Sequence, residues 1–360
     1  MAFKSKFTFV GEPSIAKKDP KKFANVWKGG KDNDVDYAKI RFFVNNGNES
    51  SAMVEAFGRS YDTIKTTTKD GPIEVHWANR NDPAIVESVV GYRKYVVNLG
   101  EEKEFITSYD MICYLQEALP EYDGKVRVTG QFVKEMYEGR LYDHFYIERV
   151  YATKAENTFD IEMDLYYNSD CVDKASLDTD GRVYVNGFIK QYVSGEGEKF
   201  VPQAVVADFN KLAEKSETAT AKMIAKVLMP NIDIKSSSMY NSPWKMSFIN
   251  GAEMEEFDED MLTDEQKAMI DVGLATVYDY KRGVRGANVR EFRLRAPMNN
   301  ITGYENGPVD SGYSMGDIEA NLYLMPQDES AERVEEAVVA EPAKKDDDSG
   351  LDMDDLLGEL

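Results

Sequence analysis

Apolar and polar residues alternate one by one through much of the first hundred positions, the period of half-buried strands. The run FKSKFTFVG at residues 3–11 predicts a first strand. Beyond a lysine-rich link, AKKDPKKF, the stretch YAKIRFFVNNG places Ala38, Ile40, Phe42 and Val44 on one face and Tyr37, Lys39, Arg41 and Phe43 on the other. Asn46-Gly47 predicts a hairpin turn, with SAMVEAFG at residues 51–58 as the returning strand. PIEVHWA and YRKYVVNLG add further strand-like pieces. The period then lengthens to that of a helix: Met111, Ile112, Leu115 and Leu119 follow Ser108, the expected N-cap, and Pro120 ends the run. Asp123-Gly124 turns the chain into Val126-x-Val128-x-Gly130, Tyr137-Glu138-Gly139-Arg140 predicts another hairpin turn, and YDHFYIERV returns.

The second half opens with the strand NTFDIEMDLYY and a turn at Asp178-x-Asp180-Gly181. A hairpin then begins RVYVNGF at Arg182 and reads as a second copy of the one that begins KVRVTGQ at Lys125. In each copy small and apolar residues point inward: Val126, Val128, Gly130 and Phe132, then Val183, Val185, Gly187 and Ile189. A helix from about Phe209 to Leu228, strands near PWKMSFING and a helix opened by the capping box Thr263–Gln266 follow. That last helix carries Met269, Ile270, Leu274 and Val277 as its apolar stripe, and REFRLR closes the pattern. Strands, a short helix and a two-strand hairpin are the order of a five-strand Greek-key barrel of the oligonucleotide/oligosaccharide-binding (OB) kind. The expected fold is therefore mainly β with α+β elements. An OB-type barrel spans residues 1–155, a second OB-like or α+β domain spans 156–297, and a disordered acidic tail spans 298–360.

Charge sharpens this picture. The 360 residues carry 43 Lys and Arg against 65 Asp and Glu, a net −22. From residue 296 onward there are 17 acidic and 3 basic residues, so the tail holds −14 of that total. Basic islands stand elsewhere: 8 Lys against 2 acids in the first 31 residues, and six basic residues with one Glu over 281–295. Such islands can meet an anion while the tail cannot.

The two cysteines, Cys113 and Cys171, make no disulfide framework, and no apolar leader or 18-residue apolar run occurs, so a soluble, cytoplasmic protein is expected. The two histidines, His76 and His144, read as ordinary surface or packed residues, too few for zinc or a His-based triad. Asp32, Asp34 and Asp36 begin like a calcium loop, but Tyr37 and Phe43 stand where Gly and Glu are required. No nucleotide-binding or nucleophile motif occurs, so neither enzyme activity, metal nor cofactor is expected.

The outward faces carry the candidate chemistry. Tyr37, Lys39, Arg41 and Phe43 share one strand face. Arg127, with Lys134, Tyr137, Arg140 and Tyr142 at the turn, marks the first hairpin, and Tyr184, Phe188, Lys190 and Tyr192 mark the second. Arg293 and Arg295 repeat the idea near the end, Trp27 lies among lysines, and Trp77 precedes Arg80. Bases stack on exposed rings at ~1–3 kcal/mol each while cations neutralise phosphates, and neither interaction reads sequence. For any one ring the plain alternative is packing under a loop or at a barrel edge. At the far end, Leu351, Asp352, Met353, Asp354, Asp355, Leu356, Leu357 and Leu360 make an acidic tip with apolar teeth, suited to a basic-rimmed apolar pocket on a partner.

The Val-x-Val-x-Gly strand, the Gly-containing hairpin, the short preceding helix and the acidic tip together resemble the single-stranded DNA-binding proteins. The size of the chain, with its paired KVRVTG and KFVPQAVVADF segments, looks most like the larger bacteriophage-encoded versions. The likeness covers residues 1–152 and the tail, and is looser over 156–295. It departs at the terminus, Gly-Glu-Leu here against the acidic residues and Pro-Phe of bacterial members. The resemblance implies a non-enzymatic protein of the (host) cytoplasm that coats single-stranded DNA, or RNA by the same chemistry, in replication, recombination and repair, and recruits proteins through its tail. Two rivals stand beside it: an OB-fold adaptor or virion component that touches no nucleic acid, and a metal-dependent nucleic-acid enzyme.

Overall fold

The computed structural model describes residues 5–16, 23–27, 35–47, 50–214, 218–254, 262–275, 285–298 and 308–323. It is mainly β. The first half contains β1 (Lys6–Ser14), β2 (Ala24–Trp27), β3 (Tyr37–Asn45) and β4 (Ser51–Arg59). An insertion follows, with β5 (Thr63–Thr68), β6 (Gly71–His76), α1 (Pro83–Ser88), β7 (Tyr95–Asn98) and β8 (Glu102–Phe105). Helix α2 (Ser108–Ala118) then leads to the hairpin β9 (Val126–Tyr137) and β10 (Arg140–Ala152). The second half begins with β11 (Thr158–Tyr167), β12 (Val172–Asp173), α3 (Leu177–Asp180), β13 (Arg182–Val193) and β14 (Gly197–Asp208). Then come α4 (Phe209–Ala213), α5 (Ala221–Ile232), β15 (Met239–Met254), α6 (Asp264–Asp271), β16 (Arg285–Pro297), β17 (Val309–Tyr313) and α7 (Met315–Ala320). Among the described residues no helix is long and apolar enough to cross a membrane.

Hydrogen bonding closes two rings. β1 pairs antiparallel with β3 and β9, β3 with β4, β9 with β10, and β10 runs parallel to β4. In the second ring β11 pairs antiparallel with β13 and β15, β13 with β14, β15 with β16, and β16 runs parallel to β14. The order is the same in both: strand one beside two and four, and strand three parallel to five. A helix lies between strands three and four in each, α2 in the first ring, α4 and α5 in the second.

This order overturns the reading of one hairpin used twice. β9 and β10 are strands four and five of their ring, whereas β13 and β14 are strands two and three of theirs. Their shared Val-x-Val-x-Gly serves a shared local need, a strand passing very close to its neighbour. A Cβ on Gly130 would stand 1.8 Å from the Tyr146 carbonyl oxygen, beside the bulge between Ile147 and Arg149. A Cβ on Gly187 would stand 2.7 Å from the Tyr166 oxygen. The order also explains why helices follow the second hairpin and precede the first.

Smaller expectations shift too. Thr107, not Ser108, caps α2, its hydroxyl accepting from the Asp110 N–H. Asp178–Asp180 belong to the helical turn α3, and Gly181, at φ 65°, ends it in the left-handed conformation. The helix expected over 209–228 divides into α4 and α5. The Thr263–Gln266 capping box is present, but α6 ends at Asp271 and leaves Met269 and Leu274 exposed. Of the expected tail, residues 308–323 are ordered as β17 and α7, while 324–360 and Val277 lie outside the described residues.

One core serves both rings. β1 is bonded on both edges, Lys6–Val10 pairing with β9 on one side and β11 on the other. Phe7 and Phe9 project from it into a group of buried rings: Phe132 and Phe145 of the first ring, Phe159, Phe248 and Phe292 of the second. Phe9 meets Phe145 and Phe159 at 4.8 Å, Phe145 meets Phe248 at 5.1 Å, and Phe132 meets Phe292 at 5.3 Å. These are tilted and edge-on contacts, which suit the ring quadrupoles. Phe248→Ala should cost about 3–5 kcal/mol in urea unfolding and loosen both rings in one transition. Retention of full stability would mean that the rings do not share this core. Gly130→Ala should be at least as damaging to expression or unfolding midpoint, because backbone, not a side chain, stands in the way.

Candidate nucleic-acid interface

The outer face of β3 and β4 is built by alternation. Ala38, Ile40, Phe42 and Val44 are buried, so Tyr37, Lys39, Arg41 and Phe43 face outward. Register sets four β4 residues against them: Arg59 opposite Tyr37, Phe57 opposite Lys39, Glu55 opposite Arg41 and Met53 opposite Phe43. Tyr37 and Phe57 lie nearly parallel with ring centres 6.5 Å apart, and Phe57 is 52% exposed. Phe57, Arg59 and Met53 complete the face without having been singled out in the sequence. Two-residue alternation along SAMVEAFGR, once Ala52, Val54 and Ala56 are assigned inward, is the signal that finds them.

Glu55 holds the centre. Its buried carboxylate accepts from Lys39 Nζ at 3.3 Å and stands 2.5 Å from His144 Nδ1 on β10. Burial opposes its charge, but the hydrogen bond with His144 and the charge of Lys39 outweigh that, and its pKa falls below the usual carboxylate value. The same hydrogen bond, working against burial, raises the His144 pKa. His144 thus holds its proton more firmly than an ordinary imidazole, a role beyond the surface or packed one expected of it. Its ring stacks on Tyr146 at 5.7 Å, and Tyr146 donates its hydroxyl to Glu135 at 2.7 Å. Rings therefore continue from β4 onto β10.

At the hairpin turn Glu138 and Gly139 both take positive φ, 47° and 80°, the pattern of a tight two-residue turn. It exposes Tyr137 (64%) beside Tyr142, with centroids 6.5 Å apart, next to exposed Arg140. Gln191 of β13 clasps this hairpin to its apparent copy: its Oε1 accepts from the Lys134 N–H at 3.0 Å and its Nε2 donates to the Lys134 carbonyl at 2.6 Å. That clasp sets Tyr192, 76% exposed, at the neighbouring tip. The Lys134 amine instead pairs with Asp143 at 3.1 Å, and Asp143 also takes Arg290 of β16.

The corresponding face of the second ring is closed by the chain itself. Phe188 and Phe200 lie under Tyr313, Met315, Ile318 and Leu322 of the 309–323 segment. Phe200 donates to the Asn321 carbonyl at 2.9 Å and accepts from the Tyr323 N–H at 2.8 Å. Lys190 reaches Glu198 at 2.5 Å and the Tyr313 hydroxyl at 3.2 Å. Tyr184 lies beneath Arg182, whose guanidinium binds Glu291 at 2.7 Å and Asp208 at 3.1 Å. Arg293 also bonds Glu291, and Arg295 bonds Asp160.

Trp77, Arg80 and Arg127 lie off the β3–β4 face. Arg80 sits over Trp77 at 4.2 Å and bonds Asp110 at 2.9 Å, fixing the insertion to α2. Arg127 lies over Tyr151 at 5.1 Å near the far end of β9. Trp27 pairs through its backbone with Tyr37, and the tip residues 351–360 fall outside the described residues. Among the described residues no group of three or more His, Cys, Asp or Glu could hold a metal ion.

The Glu55–His144 pair gives a pH signature. The raised His144 pKa contributes stability fully below about 6.5 and loses it as pH climbs through the raised value; the lowered Glu55 pKa contributes above its unfolded value and fails as pH falls through the lowered one. His144→Gln should cost ~1–3 kcal/mol at pH 6 and less at pH 9, since the contribution of a raised pKa falls as pH climbs through it. Equal losses at both pH values in urea titrations would rule out a cationic His144.

No protein-family model matches the chain, and no curated protein matches it. Among solved structures, one similar chain is a deletion mutant of the single-stranded DNA-binding protein from Thermus aquaticus, 8% identical over 73% of this chain and 98% of that one, with a TM-score of 0.27. A likeness at that score establishes no shared function.

Proposed function

We propose that this is a non-enzymatic, sequence-tolerant single-stranded DNA-binding protein of OB architecture that binds through the outer face of β3 and β4. The observation that carries this is the stacked pair of half-buried Tyr37 and exposed Phe57 amid Lys39, Arg41 and Arg59. The strand order of both rings, with three parallel to five and a helix before four, matches the OB Greek key. Oligonucleotides lie on strands two and three of that fold and on its 1–2 and 4–5 loops. Here those are β3, β4, the lysine-rich link and the Tyr137–Arg140 turn. Each ring offers a base ~1–3 kcal/mol of stacking, and the cations contribute salt-dependent phosphate contacts.

The second ring, covered by residues 309–323, serves in this proposal as a brace. The resemblance to phage-encoded relatives suggests the setting, coating of single strands during replication and recombination, with the acidic tail as the recruiting arm.

Titration of labelled oligo-dT against a duplex control, across salt, tests the proposal. Single strands should be preferred, with log affinity falling linearly in log salt. Tyr37→Ala with Phe57→Ala should weaken binding at least tenfold while the unfolding midpoint holds. Absence of single-strand preference at low salt would overturn the proposal and favour the adaptor. Removal of residues 328–360, which carry 13 acidic and 3 basic residues, should tighten binding at low salt and have little effect at high salt. Equal affinity at every salt would exclude competition by the tail.

A further inference from the structure

The insertion between β4 and α2, residues 60–107, is no part of either ring. It has its own small core around Val75, Val89 and Ile106. It is nonetheless fixed to the first ring. β7 pairs parallel with β10 from Arg149 onward, past the point where β10 touches β4 at Tyr146, and β8 pairs with β7. The insertion thus lengthens the sheet that carries the candidate face.

Two exposed tyrosines stand on this extension, each beside an arginine. Tyr61, immediately after β4, is 51% exposed, with the Arg59 guanidinium 4.8 Å from its ring centre. Tyr92 is 73% exposed, with Arg93 at 5.7 Å. Tyr92 is not on a loose loop: it occupies the 3-10 turn Gly91–Arg93, and Arg149 of β10 donates to the Gly91 carbonyl at 2.8 Å. Near Phe57, Ser108 donates to the Phe57 carbonyl at 2.8 Å and ties α2 to β4. The Tyr95 hydroxyl is hydrogen-bonded to Ser108 and lies within electrostatic reach of Arg93 and of the Tyr61 hydroxyl. Phe57, Tyr61 and Arg93 are therefore neighbours around Ser108 and Tyr95.

A large ring held in water on an anchored turn gains only ~0.5–1 kcal/mol from an exposed cation–π contact. A nucleobase placed on the open side gains the stacking energy, and the arginine is already beside the phosphate that follows. Resting on the proposed single-strand function, we infer that the path of the bound strand continues from Phe57 over Arg59 and Tyr61 to Tyr92 and Arg93. These residues form a second base-stacking segment for the same strand.

The test is a length series of oligo-dT, from roughly 6 to roughly 20 nucleotides, bracketing the ~4–16 that one OB fold takes. It is run on the full chain and on Tyr61→Ala/Tyr92→Ala. The shortest oligomers should bind both proteins alike, whereas the longest should bind the double variant at least tenfold more weakly. Tyr61→Phe/Tyr92→Phe should restore wild-type behaviour, since the ring and not the hydroxyl does the stacking. An identical length dependence in wild type and double variant, with binding intact, would overturn the extension alone. Absence of binding by the wild type at every length would overturn it together with the single-strand function.

Discussion

The joint between the rings depends on one strand that has no free edge. Because Lys6–Val10 of β1 bonds β9 and β11 at once, Phe7 and Phe9 enter a space that neither ring could fill alone. The rings around them come from five strands, and all are buried in tilted and edge-on contacts. In such a close-packed interior a shift of one ring would break contacts with several others. The two rings therefore share one core, and the positions of their outer faces follow from it. The Gln191 clasp and the Asp143–Arg290 pair act at the rim of this joint. Being more exposed, they set alignment more than they add stability.

A common strand order has been used in two ways. In the first ring the face of strands two and three is open, and its one buried acid, Glu55, is neutralised by Lys39 and His144. In the second ring the equivalent surface has become a small core, with Ile318 fully buried against it. The sequence difference is modest. Phe188 and Phe200 stand on the covered face, whereas Glu55 and Phe57 stand on the open one. A chain segment with Tyr313, Met315 and Ile318 at suitable spacing then supplies the lid. Repetition of a fold need not imply repetition of a site.

Much of this was legible in the sequence because strand alternation is a strong signal. Ala38 through Val44, Val126 through Phe132 and Val183 through Ile189 all bury the faces that their periods assign. Tyr37, Lys39, Arg41 and Phe43 were legible for the same reason, as were Tyr137 and Tyr192 at turns. What failed was the inference from likeness to equivalence. Val-x-Val-x-Gly reports a local constraint, close passage of a neighbour, that arises at strand four of one ring and strand two of the other. Contacts made only by the fold were invisible: Glu55 with His144 across 89 positions, and Lys134 with Gln191 across 57. Arg80 beside Trp77 looked like the pairings on the open face, yet Asp110, thirty positions on, claims it.

The charge of the whole chain is a poor guide to what this surface meets. A net −22 should repel a polyanion, but charges beyond a Debye length, ~8 Å at physiological salt, are largely screened from the face. Nearby, the balance is set by Lys39, Arg41, Arg59 and His144 against Glu55 and Glu135. The carboxylate of Glu55 does not simply subtract from this balance. Its hydrogen bond raises the His144 pKa, so one buried negative charge favours a positive one beside it. With −14 of the net −22 gathered from residue 296 onward, a strongly acidic chain can still present a small surface on which cations and rings outnumber acids.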